Sequence, residues 1–351
     1  MRTRLLDLIV CPGCGARLIC TAAASDGEEV VTGRLDCEKG CSSFPVVRGI
    51  PRLQTGAVSE PQQRTADAFG WEWQQFHRLH DESRTREQFL DWIRPLEPSD
   101  FAGKVVLDAG CGMGRFAVTA AGFGARDVIA VDLSDAVEAA AENGRRHGNV
   151  HVIQADLHRL PLARRGAGAV VDLAYCIGVL HHLPDPERGF AAVAGVVKQE
   201  GALFAWVYGR ENNGWLVHLV NPLRELVSSR LPRQALYVLS FLLTLALTVP
   251  LKCVYLPVGR FGWLRPAQRL LPYRPYLNWL AGFGFRHNHH VVFDHLVAPT
   301  AFYIRREEFE AWFAPAGLAV VAISARNQNS WRGLGRPLTT AAPAVATGSR
   351  N

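Results

Sequence analysis

Val105-Val-Leu-Asp-Ala-Gly-Cys-Gly-Met-Gly-Arg-Phe-Ala-Val118 reads as a buried strand, a glycine turn and the opening of a helix. Gly110, Gly112 and Gly114 let the backbone turn sharply and approach a ligand with no Cβ in between, and the helix starting near Arg115 offers unpaired N–H groups. The spacing is GxGxG after Asp108, which departs from the GxGxxG of pyrophosphate-binding turns. A site built on such a turn needs a carboxylate at the end of the next strand to hold ribose hydroxyls.

Asp132 meets that need. It closes the apolar run Val128-Ile-Ala-Val131, 18 residues beyond Gly114, as one βαβ unit requires. A third strand, His151-Val-Ile-Gln-Ala155, ends at Asp156-Leu157, and a fourth, Val170 to Cys176, runs into Ile177-Gly-Val-Leu-His-His-Leu-Pro-Asp-Pro186. Gly201-Ala-Leu-Phe-Ala-Trp-Val207 reads as a fifth strand. Together these segments resemble the successive motifs of class I S-adenosylmethionine (SAM) methyltransferases, with the 176–186 stretch in its small-molecule form. The resemblance implies an α/β fold, a Rossmann-like seven-stranded sheet with helices on both faces. It also implies SAM contacts at Asp108, Gly110, Gly112, Gly114, Asp132, Leu133, Asp156, Leu157 and Cys176.

A second constellation lies at the amino terminus. Cys11-Pro-Gly-Cys14 and Cys37-Glu-Lys-Gly-Cys41 are two short knuckles 22 residues apart, a spacing that lets four thiolates converge on Zn²⁺ and leaves no open coordination position. Over about 53 residues the layout resembles the zinc domain that activates tRNA and rRNA methyltransferases. The competing reading is a zinc-free ribbon. Eight cysteines, four of them scattered (Cys20, Cys111, Cys176 and Cys253), suit a reducing compartment rather than a disulfide framework. The first residues have no apolar core followed by a cleavage site, so the expected location is cytoplasmic.

The expected organisation is a zinc ribbon over 1–55, a linker and helices over 56–100, the SAM-binding core over 101–209, a helical cap insertion over 210–300, completion of the sheet over 301–338 and a disordered tail over 339–351. Residues 56–66 read as the linker itself. Phe69, Trp73 and Phe76 then share one helical face, which either packs into the core or lies over the cofactor.

The insertion carries ten Lys and Arg against three Asp and Glu, although the whole chain is only +6. Within it, Gln234 to Leu251 has no charge, and three readings stay open: a buried cap, contact with a membrane surface, or a span. A single span conflicts with strands before and after the insertion pairing in one sheet. Pro250, and Ser240, Thr244 and Thr248 on one face, also favour a cap or a shallow interfacial hairpin. Arg230, Arg233 and Lys252 are the candidate headgroup contacts.

Phe285 to Leu296 holds four histidines and an aspartate, in which His290 and Asp294 at i,i+4 form a candidate base pair; a structural network is the alternative. His181 and His182, after the fourth strand, are further candidate bases, or else fix the backbone. An Asn/Asp-Pro-Pro-Tyr/Phe motif is absent at Cys176 to Val179, which points away from base N-methylation. The function expected is methyl transfer to oxygen or carbon of a small-molecule or lipid-linked acceptor, with peripheral contact on the inner membrane face. The alternatives are an RNA methyltransferase and a noncatalytic SAM-binding scaffold.

Overall fold

In a computed structural model of the chain, residues 1–76, 82–214, 216–226, 231–261, 263, 266, 269–297 and 301–338 are described. The tail expected to be disordered, and Arg230, lie outside them.

The amino-terminal unit is an antiparallel sheet in the order β1 (Leu18–Asp26), β2 (Glu29–Cys37), β3 (Ser43–Val47) and β4 (Ile50–Pro51). Alternate residues turn Leu35, Cys37, Phe44 and Val46 inward, the period of two expected of a strand with one face buried. This unit is fastened to the core. The Arg4 guanidinium donates two 2.6 Å hydrogen bonds to the Asp127 carboxylate, and the N–H of Leu53 donates to the carbonyl of Gln154 at 2.8 Å.

Helices α1 (Glu60–Gln75) and α2 (Glu82–Trp92) follow. The expected linker is therefore shorter than 56–66, because α1 opens at Glu60 with Pro61 in its first turn and buries Gln62, Thr65 and Ala66. The core alternates β5 (Val105–Ala109), α3 (Arg115–Gly122), β6 (Asp127–Asp132), α4 (Ala136–Gly144), β7 (Val150–Gln154), β8 (Val171–Ile177), α5 (Pro186–Ala194) and β9 (Val197–Tyr208). Strands β10 (Leu318–Arg326) and β11 (Ser330–Pro337) complete a sheet in the order β10-β11-β9-β8-β5-β6-β7. Neighbours from β9 to β7 pair in parallel, and β11 is antiparallel to both of its neighbours. Every residue of β5 is buried, as a strand covered on both faces requires. Strand β5 lies between β6 and β8, so the chain order reverses there and opens a crevice at the carboxyl ends of the strands.

Between β9 and β11 lie α6 (Asn221–Leu226), α7 (Arg233–Pro250), α8 (Leu256–Arg260), α9 (Arg274–Ala281), α10 (Phe285–Val297) and α11 (Arg306–Ala311). The charge-free run is not a buried cap: the helical stretch Arg233–Val258 is long and apolar enough to cross a membrane, yet only 17% of its most apolar window is buried. Its inner face carries Leu236, Ser240 and Thr244, and the Ser240 hydroxyl lies 2.9 Å from His289 Nε2 on α10. Pro250 does not end the run, because a wider turn over Leu251–Tyr255 absorbs the missing hydrogen bond and leads into α8. Lys252 is not a free surface cation: its ammonium donates to the carbonyls of Ala281 at 2.7 Å and Phe283 at 2.9 Å, tying the end of α9 to this turn.

Candidate active site

The glycine turn leaves β5 with φ of 82° at Gly110, 52° at Gly112 and 77° at Gly114, conformations that favour glycine. A Cβ on Gly112 would stand 2.9 Å from the Trp73 indole nitrogen, and one on Gly114 would stand 3.0 Å from Ala140. The turn is thus wedged between α1 and α4. It floors a cavity of about 210 Å³, whose walls include Phe69, Trp73, Leu133, Leu157, His182 and His290.

Asp132 also lines this cavity, and its carboxylate accepts the N–H of Gly112 at 2.9 Å, the N–H of Ser134 at 2.8 Å and the Ser134 hydroxyl at 2.7 Å. Burial pushes its pKa up against those donors. Arg115 projects into the same space. Its guanidinium lies 4.6 Å from the Phe116 ring centre, and 5.7 and 5.8 Å from Trp73 and Trp92. Burial lowers its pKa to about 10, which leaves it charged at neutral pH. A ribose fits the Asp132 carboxylate, an amino-acid carboxylate fits Arg115, and the glycine cradle admits a chain between them. The residues present suit SAM.

Several expected contacts do not line the cavity. Asp108 is buried beneath the turn, where burial pushes its pKa to about 7. Gly114 packs on α4. Asp156 turns away and accepts the N–H of His158 at 3.0 Å and the Gln62 amide at 2.9 Å, bonds that hold its pKa low against the opposing effect of burial. Cys176 packs into the core and does not line the cavity, and burial pushes its thiol up. His181 is also a correction. Its ring lies 3.9 Å, centre to centre, from that of Tyr208, its carbonyl accepts the N–H of Phe302 at 2.8 Å, and burial holds its pKa well below the usual value. His182, one residue on, does line the cavity, with its ring edge-on to Phe69 at 4.9 Å.

His290 and Asp294 both reach the cavity, but each has its partner on another element. His290 Nε2 lies 3.0 Å from Glu72 Oε1 on α1, and Asp294 accepts the Tyr208 hydroxyl at 3.3 Å. Glu72 is fully buried, which raises its pKa well above the usual carboxyl value, while burial lowers that of His290. Neither Glu72 nor Arg115 is singled out by sequence reasoning. The available signals are an acid inside the aromatic run Phe69 to Phe76 and an arginine directly after the last glycine of the turn.

A second cavity of about 630 Å³ adjoins the first, enclosed by Leu216, Leu247, Tyr276, Leu280 and Tyr303. The two share Trp92, Trp206, Tyr208, Trp279, Val291 and Asp294, so they meet at one wall.

In the ribbon, the sulfurs of Cys11, Cys14, Cys37 and Cys41 all lie within 4.8 Å of one another, four of the pairs at 3.3 to 3.5 Å. Tetrahedral zinc with Zn–S bonds of about 2.3 Å sets sulfurs about 3.8 Å apart. The four thiols therefore fit a structural Zn²⁺.

A family model for a methyltransferase domain matches residues 107–205. The ubiquinone biosynthesis O-methyltransferase of Cupriavidus pinatubonensis (strain JMP 134 / LMG 1197) is 33% identical over 159 residues, covering 45% of this chain and 60% of that protein. The protein of the same name from Thiobacillus denitrificans (strain ATCC 25259 / T1) is 35% identical over 162 residues, covering 45% of this chain and 65% of its own length. The chain thus spans less than two thirds of these curated relatives. Among solved structures, magnesium protoporphyrin IX methyltransferase from Synechocystis PCC 6803 with bound SAM is 14% identical, covers 81% of this chain and 100% of that one, and superposes with a TM-score of 0.44. The matched strands, with the glycine turn and the Asp132 carboxylate among them, make residues 107–205 a methyltransferase domain.

Proposed function

We propose that this protein transfers the methyl group of SAM to a hydroxyl oxygen of an apolar, ring-bearing or lipid-linked small molecule. The observation that carries this reading is the junction of the cofactor-sized cavity with the larger, aromatic-walled one at Tyr208, Trp279 and Asp294. The ubiquinone-biosynthesis O-methyltransferases to which the chain is similar support the choice of oxygen.

SAM supplies an electrophilic methyl on a sulfonium sulfur, so the S–C bond breaks as the O–C bond forms, leaving a methyl ether and S-adenosylhomocysteine. The chain must then hold the acceptor oxygen in line and take its proton. Asp132 holds the ribose and Arg115 the carboxylate. Trp206, Trp279 and Tyr208 clamp the acceptor ring, and His290 receives the hydroxyl proton on Nδ1, with His182 as the second candidate. Glu72 acts as a positioning residue. Its Oε1 stands 3.0 Å from His290 Nε2, close enough to favour the tautomer protonated there and to leave Nδ1 as the basic nitrogen.

The ribbon, the core and the insertion are read as the zinc unit, the cofactor unit and the acceptor cap, acting in the cytoplasm against the inner face of a membrane. The test is transfer of labelled methyl from SAM to a panel of prenylated phenols, free phenols and bulk RNA. Transfer to the phenols is expected. Transfer to RNA alone would replace this reading with an RNA methyltransferase, and SAM binding without transfer to any of them would leave a noncatalytic scaffold.

A further inference from the structure

We propose that the outer face of the Arg233–Val258 helical stretch, with the segment after it, lies in the plane of an anionic lipid surface. This deepens the peripheral-membrane part of the proposed function and does not depend on the methyl-transfer chemistry.

The helix has two unlike faces. Ser240, Thr244 and Leu251 are buried against the rest of the insertion, and Leu247 borders the larger cavity. Opposite them, Val238, Leu242, Leu245 and Val249 recur at i, i+4, i+7 and i+11 and are 54 to 63% exposed. Phe241 and Leu243 flank that stripe, Val254 and Leu256 continue the exposed apolar surface, and beyond α8 Trp263 and Leu270 stand 77% and 85% exposed. Apolar surface of this extent on a water-soluble molecule marks an interaction site.

The charge around it selects the partner. Residues 231–297 hold seven Lys and Arg and one acid, Asp294, and that acid faces the cavities. Arg260, Arg269 and Arg286 are exposed. A second copy of the chain docked through this face would bring like charges together with no acid to offset them, whereas anionic headgroups complement arginines beside an apolar stripe. A single crossing of the bilayer is excluded, because β9 before the insertion pairs with β11 after it and both ends of the insertion stay on one side, and among the described residues there is no second helix long and apolar enough to return. The helix therefore lies along the surface, with Leu247 on its inner side walling the larger cavity. An acceptor with an apolar tail reaches that cavity from the lipid without passing through water.

The test is flotation of the zinc-loaded full chain with vesicles of phosphatidylcholine alone or mixed with phosphatidylglycerol, with melting temperature and SAM binding measured on every variant. The parent is expected to float with the anionic vesicles and to detach as salt rises. Leu242→Ser with Leu245→Ser and Val249→Ser should weaken binding by about tenfold or more, with SAM affinity unchanged. Arg260→Gln with Arg269→Gln and Arg286→Gln should do the same only for anionic vesicles. These exposed arginines carry the test if the serine variant fails to fold. The proposal is overturned if the parent stays unbound at low salt, if it binds neutral and anionic vesicles equally, or if the serine variant instead turns a dimer into a monomer in sedimentation. Loss of SAM binding by the parent would sink the methyltransferase reading and leave the flotation result standing.

Discussion

His290 Nε2 and Glu72 Oε1 meet at 3.0 Å across the seam between α1 and α10, and the carboxyl group is fully buried. Burial raises the carboxyl pKa and lowers that of the imidazole, so it favours the neutral form of each partner. A neutral carboxyl offers its carbonyl oxygen to an N–H, and a glutamine amide does the same. Glu72→Gln should therefore keep kcat within about threefold, Glu72→Leu should lower it about tenfold, and His290→Ala should lower it by about 10²-fold or more, with KM for SAM little changed in all three. Equal losses in the Gln and Leu variants would show that the carboxylate charge is required.

The same pair sets a pH dependence of stability. A carboxyl whose folded pKa is raised costs the fold nothing below its unfolded value of about 4.3 and an increasing amount as pH rises above it. Glu72→Gln removes that cost. Its melting temperature relative to the parent should accordingly climb from pH 5 to pH 8 in differential scanning calorimetry. A difference that stays flat or falls contradicts the raised pKa.

Asp132 and Arg115 grip different ends of the cofactor, and a truncated ligand separates them. Asp132→Asn should weaken SAM, and also 5′-methylthioadenosine, which keeps the ribose and lacks the carboxylate, each by about 10- to 100-fold in calorimetry. Arg115→Gln should weaken SAM by a similar factor and leave methylthioadenosine within about twofold. Weakening of both ligands by Arg115→Gln would mean that it supports the turn and does not bind the carboxylate.

One zinc per chain is expected by elemental analysis, with less than half of it retained in Cys37→Ser. Chelation should lower the melting temperature by about 10 °C. An unchanged metal content in the variant would remove the four-cysteine assignment.

What could be read in the sequence was what depends on neighbours along the chain. The glycine turn, Asp132 one βαβ unit later and the two cysteine knuckles are local patterns, and each folds as its spacing requires. Two of the expected contacts lie one residue from a residue that lines the cavity. Cys176 and Ile177 are adjacent on β8, yet only Ile177 lines the cavity, and of the adjacent His181 and His182 only the second does. Sequence places such residues at a strand end, but the pleat and the turn decide which one faces the ligand. The Glu72–His290 contact, the Lys252 tie and the larger cavity all join segments tens to hundreds of residues apart. They exist only once the chain has folded.

Strand β7 is the last of the seven-stranded sheet, and beyond it the ribbon supplies the rung at Arg52 and Gln154 and the bond from Leu53. An uncovered strand edge is a template for joining another chain. The ribbon is thus a guard on that edge. Metal loss should therefore appear first as self-association at higher protein concentration, before the sheet itself melts.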